Sequence, residues 1–164
     1  MGQKLVGIGL TAFLAVAALA MPTQARADDD GTFKSPLVGS TPSQPVAGVP
    51  SGGALWVIRR GEVTIQDGGR LEVEVQGLLL GGGASIGTTA GIPSLAASVA
   101  CGGVVAPAGS TSDPAPFSAA GDFQVRQTLT LPQPCRGLVV LVGRPGAAPG
   151  APLATYFAVS GLPD

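Results

Sequence analysis

The sequence predicts an all-β domain: a single β-sandwich of immunoglobulin-like size, about seven strands, with one disulfide. Three observations carry that expectation. Short runs alternate apolar and polar side chains with the two-residue period of a strand. Glycine and proline, 26 and 15 of the 164 residues, cluster between those runs as turn chemistry. After residue 27, no stretch combines a 3.6-residue apolar period with enough freedom from Gly and Pro to make a helix.

The N-terminal 27 residues read as a secretory signal peptide. Lys4 supplies the positive head, Leu5–Ala20 the apolar stretch, and Ala25-Arg26-Ala27 a small-x-small cleavage site before Asp28-Asp29-Asp30. Cleavage is expected between Ala27 and Asp28. The competing reading is a transmembrane anchor. The apolar run contains Gly7, Gly9 and Thr11, ends at Pro22, and is short against the roughly 20 apolar residues that span a bilayer. The expectation is therefore a secreted, extracellular product with no stable membrane insertion after cleavage.

Residues 28–164 suit one domain with a real core, since chains of this size bury roughly two-thirds of their unfolded surface. Losing Lys4 and Arg26 with the leader leaves seven basic and ten acidic residues. That mild acidity favours neither nucleic acid nor an anionic lipid surface, each of which recruits clustered Lys and Arg. The chain contains no His and no Asn. Nucleophile activation by His, imidazole metal ligation and Asn-linked glycosylation are all closed to it.

Cys101 and Cys135 are the two cysteines. In an oxidising compartment such a pair is expected to form one structural disulfide. The functional alternative is a redox pair or a thiolate metal site. Redox pairs usually stand as Cys-x-x-Cys, and two thiols leave a zinc site incomplete.

Along the chain, residues 28–53 are rich in Pro, Ser, Gly and Thr and read as a flexible arm. The acidic triplet that opens it lacks the alternating carboxylates of a calcium loop. The domain is expected over 54–164. Leu55-Trp56-Val57-Ile58 is a run of β-formers. Glu62-Val63-Thr64-Ile65 and Arg70 to Gln76 alternate on either side of Gln66-Asp67-Gly68-Gly69, a tight-hairpin signal. Leu71, Val73 and Val75 share the inner face, leaving Glu72, Glu74 and Gln76 to solvent. An irregular connection runs from Gly81 to about Pro93, and Ser94–Val105 is the next strand. Ala106–Pro116 reads as a loop. Phe123, Val125, Leu129 and Leu131 then share a face, with Gln127 as a polar intruder. Pro132 and Pro134 end that run. Leu138–Val142 is apolar on both faces and belongs in the middle of a sheet. Pro145–Pro152 is a loop, and Thr155–Ser160 is the last strand.

Candidate chemistry is sparse. Gly77-Leu78-Leu79-Leu80-Gly81-Gly82-Gly83 matches no phosphate-loop spacing and has no helix behind it. Glu72 and Glu74 lie about 7 Å apart along one strand face, a separation that suits glycosidase carboxyls, but alternation places them in solvent. Arg59-Arg60-Gly61-Glu62 reads as a surface charge cluster. Trp56 and Tyr156 are either exposed anchors or core rings, and the apolar neighbours of Trp56 favour the core. No catalytic, cofactor or metal residue is assigned.

The order Gly77-Leu78-Leu79, Ile92–Cys101, Gly121-Asp122 and Leu131-Pro132-x-Pro134-Cys135 resembles a group of small exported bacterial proteins with no assigned activity. The resemblance covers roughly residues 54–161. It implies a disulfide-bonded all-β domain and carries over no catalytic residues. A looser similarity is to the secreted immunoglobulin-like apoproteins that sequester enediyne chromophores, which have two disulfides where this chain has cysteines for one. Together these expectations describe a secreted, non-enzymatic β-sandwich working by surface contacts with an unknown protein or envelope partner. The alternative is an extracellular small-molecule carrier with an apolar cleft, and an enzyme using Asp and Glu alone ranks third. Oligomeric state is left open.

Overall fold

The computed structural model describes residues 31–105 and 109–160. The leader and the Ala27–Asp28 cleavage position lie outside them. Eleven strands follow in order: β1 (Phe33–Gly39), β2 (Trp56–Val57), β3 (Arg60–Gln66), β4 (Arg70–Gln76), β5 (Leu79–Leu80), β6 (Ser94–Cys101), β7 (Val104–Val105), β8 (Ala115–Pro116), β9 (Phe123–Thr128), β10 (Val139–Arg144) and β11 (Thr155–Ser160). A single 3-10 turn at Asp67–Gly69 is the one helical segment among the described residues. The all-β class is as expected.

The arrangement differs from a seven-stranded sandwich. One antiparallel sheet runs β7-β6-β10-β11-β1-β3-β4-β9, with β8 also paired to β6. It curls until β9 returns beside β8, where Phe117 bridges Phe123. The result is a nearly closed barrel. Its continuity depends on β1, which lies inside the stretch read as a flexible arm. The first four residues of β1 register with β3, from Phe33↔Ile65 to Pro36↔Glu62. Its last three register with β11, from Leu37↔Ser160 to Gly39↔Ala158. Without β1, the β3-β4-β9 and β6-β10-β11 groups would be two separate sheets. With it they form one wall.

The hairpin of β3 and β4 follows its alternation closely. Val63↔Val73 and Ile65↔Leu71 pair on the inner face, and Leu71 and Val73 are completely buried. Gly68 and Gly69 adopt φ of 77° and 79°, which an L side chain resists, so the Asp-Gly-Gly sequence is what lets this turn close. β10 lies between β6 and β11 as its doubly apolar pattern requires. Its outer face, with Leu141, packs against Tyr156, Val159, Val49 and Leu153, so this side of the barrel is buried on both faces. The expected strand at 94–105 breaks at Gly102-Gly103 into β6 and the short β7.

The interior is filled. Val63, Val73, Val99, Val140, Leu95 and Leu71 meet inside the wall as part of one continuous core. Each such side chain contributes roughly 1.5–3 kcal/mol relative to exposure.

Each end of the barrel has its own closure. At one end, the cap end, β2 crosses beneath the tip of β1 and pairs with β5, Trp56↔Leu80 and Val57↔Leu79. The crossing is close enough that a Cβ on Gly39 would lie 2.0 Å from the Trp56 carbonyl oxygen. Trp56 points inward, 3% exposed, with its ring 4.4 Å from that of Phe157. At the opposite end, residues 129–138 pass from β9 to β10 across the end of β6. Cys135 on this crossing is bonded to Cys101 at the end of β6, with Cα atoms 5.1 Å apart. Gly102 N–H donates to Arg136, fastening the same crossing to the β6–β7 turn, and Thr130 N–H donates to Gly109 in the segment that leads to β8.

The lateral seam between β8 and β9 is closed differently. Within the stretch read as a loop, 106–116, the described residues from 109 on instead line the free edge of β6: Ser98 bridges Thr111, and Ser112 N–H donates to the Ala97 carbonyl. Side chains supply what the main chain does not. The Ser112 hydroxyl accepts the Ala97 N–H, and the Ser98 and Thr111 hydroxyls bond at 2.9 Å. Gln127, the polar intruder on the β9 face, accepts the Asp113 N–H at 2.8 Å and so bridges the gap.

Candidate functional site

The ionisable side chains concentrate on one wall. β1, β3, β4 and β9 present their outer positions in two registered rows, Lys34-Thr64-Glu72-Arg126 and Pro36-Glu62-Glu74-Gln124. All three glutamates of the chain are here. Lys34 Nζ lies 2.7 Å from Glu62 Oε1. Arg126 holds Glu72 through both Nε and Nη2, on a single carboxylate oxygen. Glu62 and Glu74 stand directly opposite one another, a repulsive pairing that Lys34 relieves from one side. Gln76 Nε2 donates to Glu74 at 3.0 Å.

Such a wall can attract and orient a polar partner through its paired charges. A general acid at neutral pH needs a carboxyl raised by burial. Glu62 is shifted the other way: the hydrogen bond from Lys34 is the largest cause of its lowered pKa. The side chains of Glu62 and Glu72 are 40% and 45% exposed. The sequence expectation that Glu72 and Glu74 face solvent agrees with this. Shallow depressions on the wall, one lined by Arg60, Glu62, Glu72 and Glu74, have walls of exposed charge.

The lowered Glu62 value has a signed consequence. Its folded pKa lies below the unfolded one, so the Lys34 contact stabilises the fold above the usual carboxylate range. That contribution disappears as pH falls through the lowered value. Replacing Lys34 by Met is expected to raise the Glu62 pKa toward its ordinary value in a carboxyl NMR titration. An unchanged titration would remove Lys34 as the cause.

The remaining candidates resolve into structural roles. Cys101 and Cys135 form the disulfide and leave no thiol free among the described residues. Tyr156 is 2% exposed, and its hydroxyl donates to the Gln44 carbonyl oxygen. Burial raises its pKa. In the glycine-rich segment, Gly77 N–H donates to Asp122 Oδ1, and Leu78 and Leu80 are buried beneath the cap. No three acidic or cysteine side chains among the described residues are grouped to hold a metal ion.

One feature carried no motif. Residues 35–58 and 77–112 contain no Asp, Glu, Lys or Arg, and they supply the β2–β5 ribbon of the cap end, which Arg59 and Asp122 adjoin at Gly77. The absence of charge over two long stretches was the available signal. Trp56 adds a second feature there: its indole N–H is buried with no hydrogen-bond partner among the described residues.

Comparison with protein-family models, with curated proteins and with solved structures finds no match. The chain is thus defined by its own architecture. It is an all-β domain with one disulfide, whose main sheet curls nearly closed and carries its glutamates on one wall.

Proposed function

We propose that this chain is an exported, non-enzymatic domain that acts through surface contacts at the cell envelope or outside the cell. The observation that carries the reading is the filled barrel, plugged by Trp56 at one end and crossed by the disulfide-bound segment at the other. What remains for recognition is the outside. The disulfide supports an oxidising compartment, and no helix among the described residues is long and apolar enough to cross a membrane. Crosslinking and pull-down from the host's medium and envelope test the proposal, with a stoichiometric partner expected. Turnover of a defined substrate by the purified protein, abolished by one point mutation, would end it.

A small-molecule carrier is the second reading. The unpartnered Trp56 N–H beside Gly52 favours it, because an orphaned buried donor is what a ligand's acceptor would satisfy. Native mass spectrometry of protein from its own host would then show a retained compound.

A further inference from the structure

A second apolar compartment lies outside the barrel wall, and one segment covers it. The chain leaves β1 at Ser40, whose N–H donates to the Phe157 carbonyl, and returns at Gly52, whose N–H donates to the Tyr156 carbonyl. Residues 41–52 thus form a strap with both ends on neighbouring residues of β11, in the manner of an Ω-loop. Thr41 to Pro45 are exposed, while Val46 and the buried Val49 pack on the wall. Beneath them lie Ala96, Leu141, Leu153, Tyr156 and Val159. The one polar atom of those side chains is the Tyr156 hydroxyl, which donates to the strap's Gln44 carbonyl. The closed strap carries local costs. Ser43 and Ala47 hold φ of 61° and 49°, in the left-handed region that non-glycine residues resist. Gly52 lies so close over Trp56 that a Cβ there would be 3.0 Å from Nε1, whose buried N–H has no partner. The apolar floor also runs out from beneath: Val38 and Leu141 flank Val159 in one outer row, and Val38 is 49% exposed.

We propose that the strap lifts to admit a small, uncharged, apolar molecule that carries a carbonyl, with its apolar body on Leu141 and Val159 and its acceptor on the Tyr156 hydroxyl. The strap is itself the pattern for that occupant. It delivers to the wall two valine side chains and one carbonyl, from Gln44. A ligand that brings both replaces the contacts that lifting gives up, and lifting lets water reach the Trp56 N–H. A carboxylate or ammonium would lose hydration there without gaining a counter-charge, because none of the floor side chains carries one. The sheet stays whole when the strap moves, since β1 keeps its registers with β3 and β11. The site rests on the carrier reading and places the ligand outside the filled interior.

Native-state amide exchange and an NMR titration on the purified chain test it. The amides of Val46, Val49, Gly52 and Tyr156 bond within the strap or at its return. They should exchange as one group, roughly a hundredfold or more faster than the amides of the β3–β4 hairpin. Acetophenone, a neutral ketone, should shift the Tyr156 and Val159 resonances with a dissociation constant on the order of millimolar, and should speed exchange of the strap amides. Ethylbenzene, similar in shape but without the carbonyl, should bind about tenfold more weakly, and Tyr156→Phe should erase that difference. The turn between Val46 and Val49 has positive φ at both Ala47 and Gly48, where Asn-Gly is favoured. Ala47→Asn should therefore hold the strap down, lowering its exchange and the acetophenone affinity by the same factor, about fivefold. Strap amides that exchange only together with the hairpin overturn the proposal. So does acetophenone that leaves Tyr156 and Val159 unshifted, binding indifferent to Ala47→Asn, or ketone and hydrocarbon bound alike. Protein recovered empty from its host that still binds acetophenone in this way would end the carrier reading and leave the strap site standing.

Discussion

Replacing Cys101 and Cys135 together by serine is expected to lower the free energy of unfolding by about 3–4 kcal/mol, the chain-entropy value for a loop of this length. The bond joins residues 34 apart in sequence. Its removal releases the unfolded chain from a constraint across β7, β8 and β9. In the folded state the crossing at 129–138 keeps the Thr130–Gly109 and Gly102–Arg136 hydrogen bonds, so the variant should still fold. It should open first at that crossing. Urea denaturation of the two forms measures the loss, and amide exchange locates it. A loss below about 1 kcal/mol would mean that the unfolded state gains little freedom when the loop is released.

Trp56→Ala should cost a similar amount, about 3–5 kcal/mol, because it removes the plug of the cap end and leaves a cavity against Phe157. Trp56→Phe separates two contributions that the alanine change combines. It keeps an aromatic ring over Phe157 and deletes the N–H that has no partner. A buried donor left unsatisfied costs about 1–3 kcal/mol, so losing it offsets part of the lost packing. The phenylalanine variant is expected within about 1.5 kcal/mol of the parent. Chemical denaturation followed by circular dichroism reads both, since the single tryptophan is gone. If Trp56→Phe proves as damaging as Trp56→Ala, the indole N–H has a partner in solution, such as a bound water or a ligand.

Sequence reading reached the class and several strands for a plain reason. Alternation in β3 and β4 reports which side of a strand is buried, and the Asp-Gly-Gly turn fixes their pairing. The apolar run at Leu138–Val142 reports burial on both faces, which β10 shows. Alternation does not say whether the inner faces belong to two sheets or to one that curls. That distinction rests on β1, and β1 hid itself. Its sequence, Phe-Lys-Ser-Pro-Leu-Val-Gly, carries Pro36 in mid-strand, normally an argument against a central strand. Pro36 falls where β1 passes from β3 to β11, so its neighbours change beside it. The flexible-arm expectation for 28–53 and the two-sheet expectation thus share one cause, a β1 strand that alternation does not reveal. The candidate surfaces were legible only as absences: no histidine anywhere, and no charge over 35–58 and 77–112. Gln127 looked like a blemish in an apolar face because its partner, the Asp113 N–H, lies across a seam that only the closed barrel brings together.

The position of β1 also orders events in time. Leu37 meets Ser160, so the first of the described strands finds one of its neighbours in the last of them. Contacts that distant are slow to form and cannot form on a nascent chain. The wall therefore closes only when segments more than a hundred residues apart, at Leu37 and Ser160, have met.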